Sequence, residues 1–303
     1  APPPSTFVFF LLTVQLSISS MDRFQESFCS AAGWHAVWSD HFTGAELNES
    51  KWNVPVSSVK AHGQTSSADC RGQTCIPLGS CREASCTRED VSLADGALVM
   101  RTRRTAPGKF ATGAVNTWGK ASWRANRKEG AFRMCITAML PGDATDAKRS
   151  AGLWPAHWLM PHTNACDPDQ GEMDIVEMVD GSGEYAATYH WQTGYPATNC
   201  SYPAEHLSAT TQRSMGTAWN ATYHEYGVER SASHVAFVLD GTTALNVSAD
   251  SANATAPRLW DVPWYLILNT AVGGGWPGSP TAETALPAYH RVSSVVVARR
   301  IDR

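Results

Sequence analysis

Short apolar runs recur from about residue 25 to the C-terminal end of this chain, separated by Gly, Pro and Asn residues. In residues 234–239, Val235, Phe237 and Leu239 alternate onto one face, and Asp240-Gly241 follows as a turn signal. This pattern predicts a half-buried strand that ends in a hairpin. Helical periodicity is nearly absent, so the chain is predicted to be all-β, a sandwich or jelly roll. The predicted strands include 36–38, 97–102, 132–138, 172–179, 186–190, 224–228, 234–239, 265–271 and 293–298.

Residues 171–178 (GEMDIVEM) carry three carboxylates inside an apolar, β-branched segment. A strand sends alternate side chains to opposite faces, so Glu172 and Asp174 share one face while strict alternation puts Glu177 on the other. One extra residue between Asp174 and Glu177, accommodated as a β-bulge, brings Glu177 onto the face of the other two. We therefore predict a strand with three acids on one face.

The spacing of these acids predicts a chemistry. Four paired positions separate the Cα atoms of the two glutamates by roughly 13 Å. Converging side chains would bring the carboxyl groups near the ~5–5.5 Å that retaining glycosidases use, below the ~6.5–9.5 Å of inverting ones. Because crowded carboxylates do not all ionise together, one is predicted to stay protonated as an acid while another is an anionic nucleophile. The alternatives are a solvated edge strand and a cation site.

Aromatic residues accompany the acids. Among twelve Trp residues, Trp154 and Trp158 precede the acids and Trp276 lies in a later Gly-rich loop. A flat indole suits the C–H face of a sugar ring. Trp154, Trp158, Trp276 and His190 are therefore predicted to bind substrate, with a core position as the alternative for each Trp and a structural role as the alternative for His190. Trp276 is expected to be exposed.

Composition narrows the class of protein. Hydrophobic residues make up 43% of the 303 residues and charged residues 17%, which allows a large core. The net charge of −4 and the pI near 6.2 provide no basic field for nucleic acid or anionic lipid. Without a linker or an internal repeat, residues 25–303 are predicted to form a single domain.

The N-terminal segment predicts secretion. Residues 7–16 form an apolar run with the length of a secretory signal and too short to span a bilayer. We expect a signal peptide over residues 1–20, truncated at its N-terminal end; the alternative is an N-terminal core strand. Five glycosylation sequons agree with a secretory route. They are at Asn48, Asn199, Asn220, Asn246 and Asn253.

The cysteines fit an extracellular protein. Four of the eight fall within residues 70–86 without the paired spacing of zinc sites, so local disulfides are predicted there and no metal centre. These four are Cys70, Cys75, Cys81 and Cys86; the others are Cys29, Cys135, Cys166 and Cys200.

Three segments in order, 152–161 (GLWPAHWLMP), the acids at 171–178, and 264–278 (WYLILNTAVGGGWPG), resemble family 16 glycoside hydrolases of the laminarinase type. The resemblance implies a β-jelly-roll sandwich with an open carbohydrate-binding cleft. It implies that Glu172 is the nucleophile, Glu177 the acid/base and Asp174 an assistant. A secreted, monomeric endo-β-1,3-glucanase follows, whose partner is a polysaccharide; no cofactor is required, and a structural calcium ion is compatible.

Two departures from the family pattern concern substrate choice. Where the family has W-P-x-x-G-E, residues 167–172 read DPDQGE. The Gly/Asn-rich segment on the non-reducing side of the cleft is replaced here by the Cys-rich stretch 70–86. Two alternatives stay open: a non-catalytic β-1,3-glucan recognition protein, and a transglycosylase or hydrolase of another β-linked polysaccharide.

Overall fold

The computed structural model describes residues 27–56, 81–163, 170–192, 206–216, 219–249 and 257–300. In these residues the chain forms two short 3₁₀ turns and sixteen strands, none of its elements is an α-helix, and no helix is long and apolar enough to cross a bilayer. The strands are β1 (Trp34–Asp40), β2 (Ala84–Cys86), β3 (Val91–Ala94), β4 (Ala97–Ala106), β5 (Lys109–Thr112), β6 (Ala114–Asn116), β7 (Phe132–Met139), β8 (Leu153–Pro161), β9 (Glu172–Glu177), β10 (Glu184–Gln192), β11 (His206–Ser214), β12 (His224–Arg230), β13 (His234–Leu239), β14 (Thr242–Ser248), β15 (Trp264–Val272) and β16 (Ala288–Arg300). The turns are Arg88–Asp90 and Ala147–Ser150.

The strands form two sheets. One sheet runs in the order β14-β13-β12-β7-β16-β4-β5-β2, with β1 paired to β16 and β3 to β4; the other runs β11-β10-β9-β8-β15-β6. Strands far apart in sequence are neighbours in both sheets, so the chain crosses repeatedly between them. This is the predicted all-β jelly-roll sandwich, and the fold class is confirmed.

The core lies between the two sheets. Met173 of β9 and Leu159 of β8 point into it from the smaller sheet, and Met134 and Val295 point into it from the larger one, all completely buried. Each such side chain contributes about 1.5–3 kcal/mol by leaving water. The opposite face of the smaller sheet points away from this core.

The nine predicted strands are present, most of them longer than predicted, and β13 pairs with β14 across Asp240-Gly241 as the expected hairpin. The central strand β8 was not predicted. It contains Pro155, which a central strand rarely accepts because proline has no N–H to donate. It also contains the buried His157, which breaks the apolar pattern.

Two disulfides lie in the described part of the chain. Cys81 pairs with Cys86, which confirms a local disulfide in the Cys-rich stretch, and Cys29 pairs with Cys135 of β7. The other four cysteines, residues 1–20 with their predicted signal peptide, and the sequons at Asn199 and Asn253 lie outside the described residues.

A buried histidine pair joins the two sheets. His157 of β8 and His290 of β16 are both 0% exposed, and their Nε2 atoms lie 2.8 Å apart, so one ring donates to the other. Burial lowers the pKa of His157 well below its usual value, and the neighbouring His290 lowers it further. Burial also lowers the pKa of His290, to about 3. The folded protein therefore holds both rings neutral.

We predict that this pair makes stability depend on pH. An unfolded histidine takes up a proton near pH 6.5, whereas folded His290 does so near pH 3. Stability from this pair is complete above pH 6.5 and is lost as the pH falls from 6.5 toward 3, by up to ~1.4 kcal/mol per pH unit for each histidine. In urea unfolding at a series of pH values, His290→Gln should lower stability at pH 7 and show a shallower acid slope.

The exposed His41 provides the matched control, because His41→Gln removes one histidine without touching the core. A His290→Gln slope equal to those of the wild type and of His41→Gln would contradict this account.

Candidate active site

Strand β9 contains the predicted bulge. Between Asp174 and Glu177 it advances three residues, while β10 advances two, from Thr188 to Ala186. On its other side β8 also advances two, from Trp158 to Ala156. Val176 pairs with His157, which leaves Ile175 as the extra residue. Both Ile175 and Val176 are buried in the core.

The bulge places the three acids on one face of the smaller sheet, which we call the acid face. Residues directly opposite in antiparallel strands point to the same side. Glu172 faces His190, Asp174 faces Thr188, and Glu177 faces Ala186. Glu172 and Glu177 keep some exposed surface, whereas Asp174 between them is 3% exposed.

Gly171 allows the chain to enter β9. Its φ is +94°, a value that favours glycine. A Cβ atom there would lie 3.0 Å from Tyr189 Oη and 3.1 Å from the Trp264 ring, tighter than ordinary packing. Glycine at this position thus brings Glu172 onto the acid face directly after the turn.

The surroundings of Glu177 raise its pKa. Burial raises its pKa well above the usual value, and the Asp174 carboxylate raises it further. A hydrogen bond from Trp154 Nε1 to Glu177 Oε1 at 2.9 Å and the positive charge of Arg82 lower it in part. The net direction is upward, so Glu177 retains its proton at a pH where an ordinary glutamate has lost it. It is equipped to be a general acid.

Asp174 connects the acids to the neighbouring strand. His190 Nε2 lies 2.9 Å from Asp174 Oδ2, so a protonated imidazole would form an ion pair with this carboxylate. Thr188, opposite Asp174, shares a hydrogen bond with Thr210 of β11. His190, predicted as a substrate-binding residue, thus contacts an acid.

The predicted tryptophans also lie at the acid face. Trp154 and Trp158 are partly buried on β8, and Trp276 is 45% exposed on the loop after β15, as predicted. Trp154 and Trp276 meet edge to face, with ring centroids 5.4 Å apart. Trp158 Nε1 donates to Asn269 Oδ1 at 2.8 Å. The indole nitrogens of Trp154 and Trp158 are therefore both hydrogen-bonded at the acid face.

Comparison with known proteins identifies the family. The model of glycosyl hydrolases family 16 matches residues 83–289, more than half of the chain. The chain belongs to glycosyl hydrolase family 16. The prediction of a glycoside hydrolase of this family is thereby confirmed.

Individual proteins that resemble this chain support the family assignment. The chain is 27% identical to Glucan endo-1,3-beta-glucosidase A1 of Niallia circulans over 88% of this chain and 38% of that protein. It is 28% identical to Beta-glucanase of Rhodothermus marinus over 97% of this chain and 94% of that protein. The solved laminarinase of Rhodothermus marinus superposes with a TM-score of 0.67 at 25% identity, over 89% of this chain and 98% of the other. The chain thus spans well under half of the first relative and nearly all of the second.

Sequence reasoning missed two residues beside the acid face, Arg82 and Glu83. The Arg82 guanidinium lies 4.9 Å from the Trp154 ring centroid, and Glu83 accepts a hydrogen bond from Ser279. Their partners are about 70 to 200 positions away along the chain. The sequence feature that could have pointed to them is their position directly after Cys81, inside the segment that departs from the family 16 pattern.

Among the residues that the structure describes, one group of side chains is compact enough to hold a cation. Ligand atoms of Glu172, Asp174 and His190 all lie within 4.8 Å of one another. Two of them, Glu172 and Asp174, are also acids to which the family 16 resemblance gives catalytic roles. Calcium prefers six to eight oxygen ligands. Two carboxylates and an imidazole fit that preference poorly.

We predict that the pKa of Glu177 responds to its neighbours in opposite directions. Asp174→Asn removes a like charge and should lower it, whereas Trp154→Phe removes a hydrogen bond to the anion and should raise it. The measurement is a pH titration of ¹³C-labelled glutamate carboxyl groups by NMR. Asp95→Asn, an identical change in the exposed turn between β3 and β4 of the larger sheet, is the control. A Glu177 midpoint at or below 4.5, or one that rises in Asp174→Asn, would refute the assignment.

Proposed function

We propose that this chain is a retaining endo-β-1,3-glucanase of the laminarinase type, with Glu172 as nucleophile, Glu177 as acid/base and Asp174 as their assistant. The observation that carries the proposal is the bulge at Ile175, which puts both glutamates on one face with Asp174 between them. Membership of family 16 supports it.

In the first step the Glu172 carboxylate attacks the anomeric carbon. The C–O bond to the leaving sugar breaks as the new glycosyl–Glu172 bond forms, and the proton of Glu177 passes to the departing oxygen. The raised pKa of Glu177 supports this role, because a donor must hold its proton at the working pH.

In the second step Glu177, now an anion, takes a proton from water. The hydroxide oxygen attacks the anomeric carbon on the face opposite to Glu172, and the glycosyl–Glu172 bond breaks. Glu177 recovers its proton and Glu172 its charge. Asp174 favours the protonated form of Glu177 in the resting state through its own charge.

Sugar binding is assigned to the aromatic residues of the acid face. Trp276, exposed beside Trp154, offers apolar surface to the C–H face of a glucose unit, and Trp158 lies on the same strand as Trp154. His190 adjoins Asp174 and can hydrogen-bond a sugar hydroxyl or steady that carboxylate. We therefore expect a neutral polysaccharide that lies across the acid face.

The β-1,3 linkage rests on two observations. The acids follow the six-residue bulged pattern that the resemblance associates with β-1,3-glucanases. Relatives named as a glucan endo-1,3-beta-glucosidase and a laminarinase point to the same linkage. The disulfides support a secreted protein, and no cofactor takes part in the proposed reaction. A monomer is our expectation.

A glucan recognition protein without turnover is the competing function. Such a protein needs the cleft and its aromatic residues but no proton donor. The elevated pKa of Glu177 and the intact set of three acids favour the enzyme.

The experiment is digestion of laminarin, lichenan, agar and carrageenan, with the products sized by chromatography. We expect oligosaccharides of several lengths from laminarin at early times, because the proposed cleavage is internal. Binding of laminarin without new reducing ends would establish the recognition protein instead, and cleavage of only another polysaccharide would refute the linkage.

Substitutions distinguish the proposed roles of the two glutamates. Glu172→Gln should lower kcat on every cleaved substrate by roughly a thousandfold or more, since no other group attacks. Glu177→Ala should lower kcat on laminarin by about 10²–10⁴-fold, yet spare the first step on an aryl glycoside whose leaving group needs no proton. The exposed Glu184, on the adjacent strand β10, supplies matched controls in Glu184→Gln and Glu184→Ala. Near-normal turnover by Glu172→Gln would overturn the assignment.

A further inference from the structure

The turn closed by the Cys81–Cys86 disulfide is attached to the strand β15. Glu83 N donates to Val272 O at 2.8 Å, and Val272 N donates to Cys81 O at 3.4 Å. Arg82 between them has a φ of +53°, in the left-handed region. The disulfide and the two backbone hydrogen bonds thus hold the backbone of Arg82 against β15.

Glu83 fastens the same turn to the loop that carries Trp276. Its carboxylate accepts hydrogen bonds from Ser279 Oγ at 2.8 and 3.0 Å and from Gly274 N at 3.3 Å. A Cβ atom on Gly273 would lie 2.2 Å from this carboxyl carbon, so only glycine permits the approach. The turn and the loop therefore form one unit at the edge of the acid face.

From this unit the Arg82 guanidinium reaches over Trp154, at 4.9 Å from the ring centroid. Gly274 lies against both, since a Cβ atom there would be 3.5 Å from Arg82 Cδ and 3.8 Å from Trp154 Cζ3. Trp154 in turn donates its Nε1–H to Glu177. A chain of contacts leads from Arg82 through the indole to the proposed acid.

We propose that Arg82 is a positioning residue for Glu177: its guanidinium, stacked on Trp154, holds the indole in the orientation that hydrogen-bonds the acid. This proposal rests on the proposed function for its kinetic consequences, while its structural part stands without it.

Arg82 also acts by its charge. The charged groups that act on Glu177 in the described residues are Asp174 on its own strand and Arg82 on the turn. Glu172 and His190 adjoin Asp174, and Glu83 follows Arg82 in the turn. The residues of β8 and β10 that pair with Glu177, Ala156 and Ala186, carry no charge. The positive charge of Arg82 lowers the pKa of Glu177, against burial and Asp174. Removing it should make Glu177 release its proton at higher pH.

The test compares Arg82→Gln with Arg82→Lys. In Arg82→Gln we expect the NMR midpoint of Glu177 and the basic limb of kcat/KM to rise together, on the order of half a pH unit. We also expect kcat on laminarin to fall several-fold with little change in KM. Arg82→Lys keeps the charge without the planar stack, so it should restore the midpoint and restore kcat only in part. Arg291→Gln, which removes an arginine stacked on Tyr289, is the matched control.

A double-mutant cycle with Trp154→Phe separates stacking from charge. If Arg82 acts on kcat through the indole, adding Arg82→Gln to Trp154→Phe should cost less kcat than Arg82→Gln costs alone. Fully additive losses in kcat would overturn the proposal, as would an Arg82→Gln variant that changes only KM or leaves the Glu177 midpoint unmoved. The midpoint is measured without substrate. A chain that fails to hydrolyse glucan would therefore refute the proposed function, while the midpoint in Arg82→Gln would still show whether Arg82 acts on Glu177.

Discussion

A single extra residue in strand β9 is the constraint on which the candidate site depends. With Ile175 inserted between the positions that pair with Trp158 and His157, Glu177 turns to the side of Glu172 and Asp174. Without it Glu177 would point into the core between the sheets, where an unpaired carboxylate is costly. The same insertion lets both Ile175 and Val176 pack inside. Core packing and placement of the acids are therefore satisfied by one local distortion.

The surroundings of Glu177 favour its protonated form. Glu177 is partly buried beside the Asp174 carboxylate, which favours its neutral form, and one indole hydrogen bond and one arginine limit the effect. Because these influences oppose one another, a small change in a neighbouring residue can shift the pKa of Glu177. In this chain the neighbouring residue is Arg82, in the disulfide-closed turn at Cys81–Cys86, within a stretch that departs from the family pattern. The turn contacts both the loop of Trp276 and the Trp154 ring, so the proposed sugar contacts and the proposed proton transfer depend on the same turn.

The sequence predicted what is encoded locally. Alternation, the crowded acids and the turn signals lie within a few residues of each other, and they were enough for the sandwich, the bulge and the acid face. It did not predict β8. Pro155 has no N–H to donate to a neighbouring strand, and the buried His157 finds its partner in His290, 133 positions away. Nor did it predict Arg82, whose contacts with Trp154 depend on how the whole sandwich folds. Long-range polar contacts between strands leave no periodic trace in the chain.

The central claim is that the bulge brings Glu172 and Glu177 close enough for a covalent intermediate and too close for a water molecule between them. Proton NMR of the first product formed from a β-1,3-linked glucan, recorded before the anomers equilibrate, tests it most directly. The account predicts that the β-anomer appears first and the α-anomer grows in later by mutarotation. Initial release of the α-anomer would mean a single displacement by water and would contradict the account.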